Sequence, residues 1–561
     1  MRLIRACAIL LCLQVAALHA QQQSITSIDV VNEAFADEEE GPIKCGTGAI
    51  LDWRARESAS KSARVLQRPV LPQEYVTSDN LFRIHYTTSG GNAVDPTSTN
   101  GFGIPDYVYE VSVAATYSHR FLVDTLGYRA PAPDDGTNGV EFDIYILDLA
   151  RGLYGYTDPD GVVPGAEDRY SAYVVIDNSY GNPQDSTDTE GYFTQGLDAM
   201  RVTVAHEYFH AVQFNYRYRL EDEYFFETTS VWFEDVAYTE VNDYLAYLPP
   251  YFRNVSQPLY LRNNQHEYGN GIWLTYLVKK FDIDVVRKVW EIIVETPALE
   301  AMNQVLNGRG FTLSGAYAEF ATWLYFTKHR ADPINYFPES DAYPLVGISR
   351  TETLRPPASI SISDSLQNLA SRFFRFDSLK LAHTVSHISD GQPGRWRIAT
   401  ITGDRRVGYD IRQSGSAAPI VATPAGLTDT LVVVVSNTSL PNTSLPPLEN
   451  NFKYSLQVSS GSSPGETRML PPGPNPFLPS SGENLILRVI LDSSSEVEVF
   501  VLAEDGRAVR KIHRGLRSAG VEEIPWDGRD DDGEIVASGI YIVQVIAGGF
   551  QEAAKVAVVH R

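Results

Sequence analysis

Apolar and polar positions alternate through Leu81-Phe82-Arg83-Ile84-His85-Tyr86, the period-two pattern of a half-buried strand. At Pro105 the spacing changes to a helical period that runs towards Leu126. Two more strand patterns follow at Phe142–Leu147 and Tyr173–Ile176, and the latter predicts a strand able to pair with an extended peptide. From Leu197 to about Phe326 the pattern is mostly helical, clearest at Ile272–Lys280 and Val285–Val294. Strands first and helices afterwards predict an α+β unit over residues 70–345, with its active centre between a sheet-bearing half and a helical half. After Pro333 short strand patterns recur between turn residues, including Arg372–Phe376, Trp396–Ile401 and Leu431–Val435, which predicts a β-sandwich over 346–460. A linker rich in Ser, Gly and Pro over 461–474 leads to a last strand-and-turn module, 475–561, in which Glu504-Asp505-Gly506-Arg507 has the composition of a hairpin turn. Asp527–Glu534 superficially matches a calcium loop, but Arg529 takes a ligand slot, so a tight turn is expected.

The first 69 residues are different in kind. Arg2 and Arg5 precede an apolar run from Ala6 to Leu18, and small residues follow at Ala16, Ala17 and Ala20, the layout of an export signal over residues 1–20. Residues 21–69 are polar, acidic at Asp37–Glu40 and poor in periodic apolar positions, as in a leader or pro-segment. Loss of the signal removes two arginines and takes the net charge from −24 to −26. No later segment offers about 20 consecutive apolar residues, so a secreted or surface-attached protein without a transmembrane segment is expected. Cys7 and Cys12 leave with the signal. Cys45 then has no partner within the chain, and no disulfide framework is possible. With 43% apolar and 21% charged residues the composition is globular, and 46 Lys and Arg against 70 Asp and Glu exclude the broad cationic face that nucleic acid requires.

The chemistry is concentrated in Thr203–Val212, which contains His206-Glu207-x-x-His210 in an otherwise uncharged, helix-compatible frame. Four-residue spacing puts the two histidines on one helix face with Cβ atoms about 5–6 Å apart. Both imidazoles then reach one Zn2+ ion at about 2.0–2.1 Å, and Glu207 stands beside it as a general base. A catalytic zinc takes three protein ligands and keeps one position open. Gln213 and Tyr216 stand where a metzincin carries Gly and His, which leaves a carboxylate on the next helix: Glu227 or Glu234, seven residues apart on one face.

His206-Glu207-x-x-His210 followed by Glu227, Trp232 and Glu234 resembles the gluzincins, in which the third ligand opens an E-G-x-A-x-aromatic-x-E run. The stretch from about Cys45 to Phe337 resembles more closely a family of secreted bacterial gluzincin-type metalloproteases, through Lys44–Thr47, Phe82–Tyr86, Gly103–Val108, Asp143–Ile146, His206–Gln213, Val231–Asp235 and Val241–Tyr244. That resemblance implies a zincin-type fold, Glu227 as third ligand and Glu234 as an acid behind it. Thr228 and Ser230 depart from the run, and 16 residues separate His210 from Glu227, slightly fewer than is usual. Tyr268-Gly269-Asn270-Gly271 is similar to the tyrosine run that supplies the oxyanion donor in aminopeptidase-type gluzincins; His266 is the alternative, otherwise an exposed loop histidine. In the tail, Asn475-Pro476-Phe477, Asp505-Gly506, Trp526–Asp530 and Ala537–Tyr541 resemble the immunoglobulin-like module of flagellar hook capping proteins and of type IX secretion sorting modules, which implies a bacterial exported protein in contact with secretion machinery or a cell surface.

Together these features lead to a secreted zinc metallopeptidase acting on a peptide or protein substrate: a zincin (gluzincin-like) α+β domain, a β-sandwich and an Ig-like C-terminal β-sandwich. The competing reading is a non-catalytic surface-binding protein that keeps the helix pair only as scaffold. Cys45 adds one more expectation, because a thiolate is a strong zinc ligand and can fill the open fourth position to hold an enzyme latent.

Overall fold

The computed structural model describes residues 25–36, 42–58, 66–134, 139–149, 152–166, 168–181, 191–354, 358–377, 383–389, 395–402, 409–414, 420–422, 430–441, 451–460, 467–479, 482, 484–491, 494–518 and 520–560. The signal expected over 1–20, the acidic run 37–40 and the linker residues 461–466 lie outside them. The chain divides into two compact units, Met1–Tyr251 with Leu259–Gly310, and Phe252–Pro258 with Phe311–Arg561.

In the first unit a short parallel pair, β1 (Ile25–Thr26) and β2 (Leu66–Gln67), brackets helices α1 (Ser27–Ala34) and α2 (Thr47–Ser58). The five-stranded sheet is built from β3 (Gln73–Val76), β4 (Phe82–Tyr86), β5 (Phe142–Leu147), β6 (Gly155–Val162) and β7 (Tyr170–Asp177), in the order β3-β4-β5-β7-β6. Its central pairs are parallel and its two edge strands antiparallel. Helix α3 (Asp106–His119) connects β4 to β5. The helical half follows as α4 (Gly196–Phe214), α5 (Glu223–Ala237), α6 (His266–Gly269), α7 (Gly271–Lys280), α8 (Asp284–Ile293) and α9 (Ala298–Gly308). α4 is buried at every position from Met200 to Phe214 apart from the half-buried Arg201, so it runs through the middle of the unit.

Three sequence expectations change here. The described part of the expected leader or pro-segment is packed rather than aperiodic: Val30, Val31, Phe35, Ile50, Trp53 and Leu66 share one core with Tyr145, Leu147, Tyr156, Tyr173 and Val175 of the sheet. The apolar positions are present but split between two short helices, too few in either to show a long period. Second, Tyr173–Ile176 cannot pair with a peptide, because β7 is hydrogen-bonded to β5 on one side and to β6 on the other. β6 is the edge. Third, residues 311–345 fold with the second unit rather than the first. There α10 (Leu313–Trp323) ties to the sandwich through Ser314 Oγ and Thr438 Oγ1 at 2.7 Å, and Ser371 N donates to Val255 O at 3.0 Å.

That second unit carries a sandwich of a five-stranded and a four-stranded sheet (β8–β16, residues 350–460), closed over Phe374, Phe376, Trp396, Val433 and Leu456. A three-stranded and a four-stranded sheet (β17–β23, residues 468–558) form the C-terminal module around Phe477, Trp526, Val499 and Val545. Its first strand, Arg468–Gly473, occupies part of the expected linker and pairs with Leu485–Leu491. The Glu504–Arg507 turn joins the strands Ser495–Ala503 and Ala508–Arg517, with Gly506 at φ +85° supplying the left-handed residue. At Asp527–Glu534, Asp530 Oδ1 accepts from Glu534 N at 2.9 Å, the bond of a tight turn.

The integration of residues 27–58 makes a stability prediction. Trp53→Ala removes a side chain 6% exposed in that core and should cost about 3–5 kcal/mol. Denaturant unfolding followed by far-UV circular dichroism measures this; an unchanged midpoint would mean that the stretch is dispensable to the fold.

Candidate metal centre

α4 places His206 and His210 one turn apart, with ring centroids 4.7 Å apart. Their Nδ1 atoms point to fixed acceptors. His206 Nδ1 donates to Glu234 Oε1 at 2.6 Å, and His210 Nδ1 donates to Gln213 Oε1 at 2.8 Å. The Gln213 amide is oriented by its other end, where Nε2 donates to Phe226 O, Thr229 Oγ1 and Ser230 Oγ at 2.9–3.1 Å. With both protons spent on Nδ1, both neutral rings turn a bare Nε2 lone pair inward.

Those lone pairs converge. The Nε2 atoms are 3.1 Å apart, and Glu227 Oε2 lies 3.2 Å from one and 3.5 Å from the other. Cys45 Sγ is 3.5 Å from His210 Nε2, and the four ligand-type atoms all lie within 4.8 Å of one another, every residue buried. Acceptors do not approach so closely unless a cation or a proton lies between them. Burial alone would lower the His206 pKa, but its bonds to Glu227 and Glu234 raise it to about 9. Burial likewise opposes the Glu227 charge, yet His210 and His206 hold that carboxyl far below the carboxylate range. A tetrahedral zinc at its usual bond lengths requires edges of about 3.3 Å between nitrogens and about 3.6 Å from nitrogen to sulfur. The donor set fits the ion in element and spacing.

The two glutamates weighed from sequence have separate positions. Seven residues apart on α5, they hold the two nitrogens of one imidazole: Glu227 faces Nε2, and Glu234 holds Nδ1. Glu234 Oε2 in turn accepts from Lys44 Nζ at 2.7 Å, and Lys44 also donates to Asp243 Oδ2 at 2.6 Å. Burial disfavours the ammonium, but Asp243 and Glu234 keep its pKa above the ordinary value. Glu207 Oε2 accepts from Thr157 Oγ1 at 2.7 Å and Thr47 Oγ1 at 3.4 Å, while its buried Oε1 has no hydrogen-bond partner among the described residues. Burial pushes the Glu207 carboxyl up against the pull of His206 and His210. Close approach of β6 to α4 depends on Gly155, where a Cβ would meet Thr203 Cγ2 at 2.8 Å, Val175 O at 2.9 Å and Glu207 Cγ at 3.1 Å.

Tyr268, on α6, is buried; desolvation and then the charges of Glu227 and Cys45 push its phenol well up, so it keeps its proton. His266 is not an exposed loop histidine: it is 3% exposed, with its ring 4.8 Å from that of Tyr251. Sequence reasoning used Gln213 only to exclude a class and overlooked it as the residue that orients His210; an amide three residues beyond the second histidine, one helical turn on, was the available signal. Lys44 and Asp243 entered only as parts of matching stretches, and Gly155 and Thr157 gave no signal.

In the second unit the family question has a local answer. Residues 480–549 match the FlgD Ig-like domain. This is the β17–β23 module. No curated protein matches the sequence. Among solved structures, the chain is similar to PorZ, a surface component of the type IX secretion system of Porphyromonas gingivalis, at 23% identity over 18% of this chain and 14% of that one, with a TM-score of 0.14. It is similar to dimeric latent PorU from the same organism at 12% identity over 38% and 19%, TM-score 0.16, and to a β-glucuronidase from Ruminococcus gnavus at 11% over 36% of each, TM-score 0.13. The chain thus spans well under half the length of these proteins. No helix among the described residues is long and apolar enough to cross a membrane.

Replacing Gln213 by Met removes the acceptor that fixes His210 and should weaken zinc binding about 10- to 100-fold with the fold retained. Competition against a chromophoric chelator, with circular dichroism as control, measures it; unchanged affinity would show that His210 needs no orienting partner.

Proposed function

We propose that this chain is an exported zinc-dependent peptidase. The observation that carries the proposal is the convergence of His206 Nε2, His210 Nε2 and Glu227 Oε2 beside a glutamate, Glu207, that keeps one carboxylate oxygen unbonded. In this reading those three residues hold the zinc. The ion supplies Lewis acidity towards water and a peptide carbonyl.

The chain's own groups do the rest. Thr157 and Thr47 anchor Glu207 through Oε2, which leaves Oε1 to take a proton from water and pass it on to the leaving amine. Burial makes that proton easier to hold than on an exposed carboxylate. Tyr268 keeps its O–H as a donor for charge developing on the carbonyl oxygen. Glu234 and Gln213 fix the imidazole orientations, so no reorganisation of the ligands accompanies the reaction. The FlgD-like module is, in this proposal, the export or attachment device, and the signal over residues 1–20 the route out of the cell.

Glu207→Gln separates the peptidase from a binding protein. The variant should retain one equivalent of zinc and lose hydrolysis of a casein substrate by about 100-fold or more, the scale of general-base catalysis. Chelation should abolish turnover of the wild type, and zinc should restore it. A chain that carries zinc yet cleaves no protein substrate, either as the wild type or as Cys45→Ser, is a binder.

A further inference from the structure

Zinc sites that only support a fold are closed by four protein ligands, whereas those that turn over substrate keep a position open. Here a fourth ligand-type atom is already at the centre. Cys45 Sγ lies 3.5 Å from His210 Nε2 and belongs to the same buried group of four. It arrives on a strap, residues 43–47, that is hydrogen-bonded to residues 152–155 where the edge strand β6 begins. Ile43 N donates to Gly152 O and Tyr154 N donates to Ile43 O, both at 3.0 Å, and Ile43 makes a parallel bridge with Leu153. Further along, Gly46 N donates to Gly155 O at 2.9 Å, and Thr157 N donates to Thr47 Oγ1 at 2.8 Å.

The same strap is clamped on both sides of the sulfur. Lys44 is buried between Glu234 and Asp243, its Nζ 4.7 Å from the centre of the Tyr154 ring. Gly46 is packed so that a Cβ would stand 3.0 Å from Val31 Cγ1 and 3.2 Å from Tyr156 Cβ. Thr47 touches Glu207. An extended peptide presented to the metal beside Glu207 would need this edge of β6 and this coordination position.

We propose that Cys45 is the fourth protein ligand of the zinc and that this sulfur holds residues 43–47 against the peptide-binding edge of β6, so that the folded chain is a closed, latent form that opens once the sulfur is released. The proposal rests on the three-ligand zinc site of the preceding section.

Cobalt(II) tests it, because thiolate ligation to cobalt gives an intense near-ultraviolet charge-transfer absorption that His and Glu ligands do not. The metal-free full chain, given one equivalent of cobalt chloride, should show that absorption together with the visible bands of a tetrahedral ion. Cys45→Ser should keep the visible bands and lose the charge-transfer band. Loaded with zinc, Cys45→Ser should hydrolyse casein faster than the wild type by about tenfold or more, since its fourth position is open. Visible bands without charge transfer in the wild type overturn Cys45 ligation and leave the three-ligand site standing. Equal turnover in the two zinc-loaded proteins overturns closure by the strap. Failure of the wild type to take up cobalt or zinc at all overturns the site reading itself, and the latency with it. The wild-type spectrum decides ligation on its own should the variant not fold.

Discussion

Three lone pairs face one another inside a protein that admits almost no water to them, and the first unit is arranged around that fact. His206 Nε2, His210 Nε2 and Glu227 Oε2 repel unless something positive lies at their centre. Each flanking contact then has a reason. Glu234 and Gln213 take the Nδ1 protons and so force the lone pairs inward, and Lys44 neutralises the acid behind His206. Removing Lys44 would leave Glu234 and Asp243 buried with their shared cation gone, a loss on the order of 3–5 kcal/mol for a broken buried pair. The N-terminal strap therefore supports the centre as well as approaching it.

The helix pair also explains why two glutamates are needed two turns apart. One imidazole has two nitrogens on opposite sides, and a single α5 face reaches both when its acids stand on either side of the ring, Glu234 at 2.6 Å from Nδ1 and Glu227 at 3.2 Å from Nε2. Seven residues on an α-helix span about 10 Å along the axis, and the side chains lean in to close the remainder. Thr228 and Ser230, which depart from the gluzincin run, have work of their own: Thr228 Oγ1 lies 2.7 Å from Tyr224 O and 3.1 Å from Glu267 O, and Ser230 Oγ accepts from Gln213. Hydroxyls at these positions bind α5 to its neighbours.

Much of this was legible in the order of residues, and what was not has identifiable causes. The H-E-x-x-H spacing fixes which side chains share a helix face, and alternation fixes β4, β5 and β7. Neither fixes strand order, so β7 could be read as an available edge when it is enclosed by β5 and β6. Amphipathic spacing likewise shows that Leu313–Trp323 buries one face but not against what, and the boundary expected at 345 falls instead at 310. Val30, Val31, Ile50 and Trp53 were visible as apolar residues, but their shared core with the sheet comes from long-range contacts that no local window contains. Gly155 gave no signal, because the need for a missing Cβ exists only once β6 and α4 are pressed together.

The four ligand-type residues are not held alike, and that inequality bears on what the centre can do. His206 and His210 ride on a 19-residue helix buried from Ala199 onward apart from the half-buried Arg201, and Glu227 on a 15-residue helix packed beside it. Cys45 sits between two short runs of edge hydrogen bonds, outside any helix or paired strand of its own. Local opening follows the number and burial of the contacts that must break together, and for Cys45 these include the buried pairs of the neighbouring Lys44 with Glu234 and Asp243. Loss of the sulfur would leave a tripod whose geometry is set by helices and by the Glu234 and Gln213 bonds, none of which depends on the thiol. In the proposed zinc site, three ligands borne on helices and one on a short strap make a centre that can be shut without being dismantled.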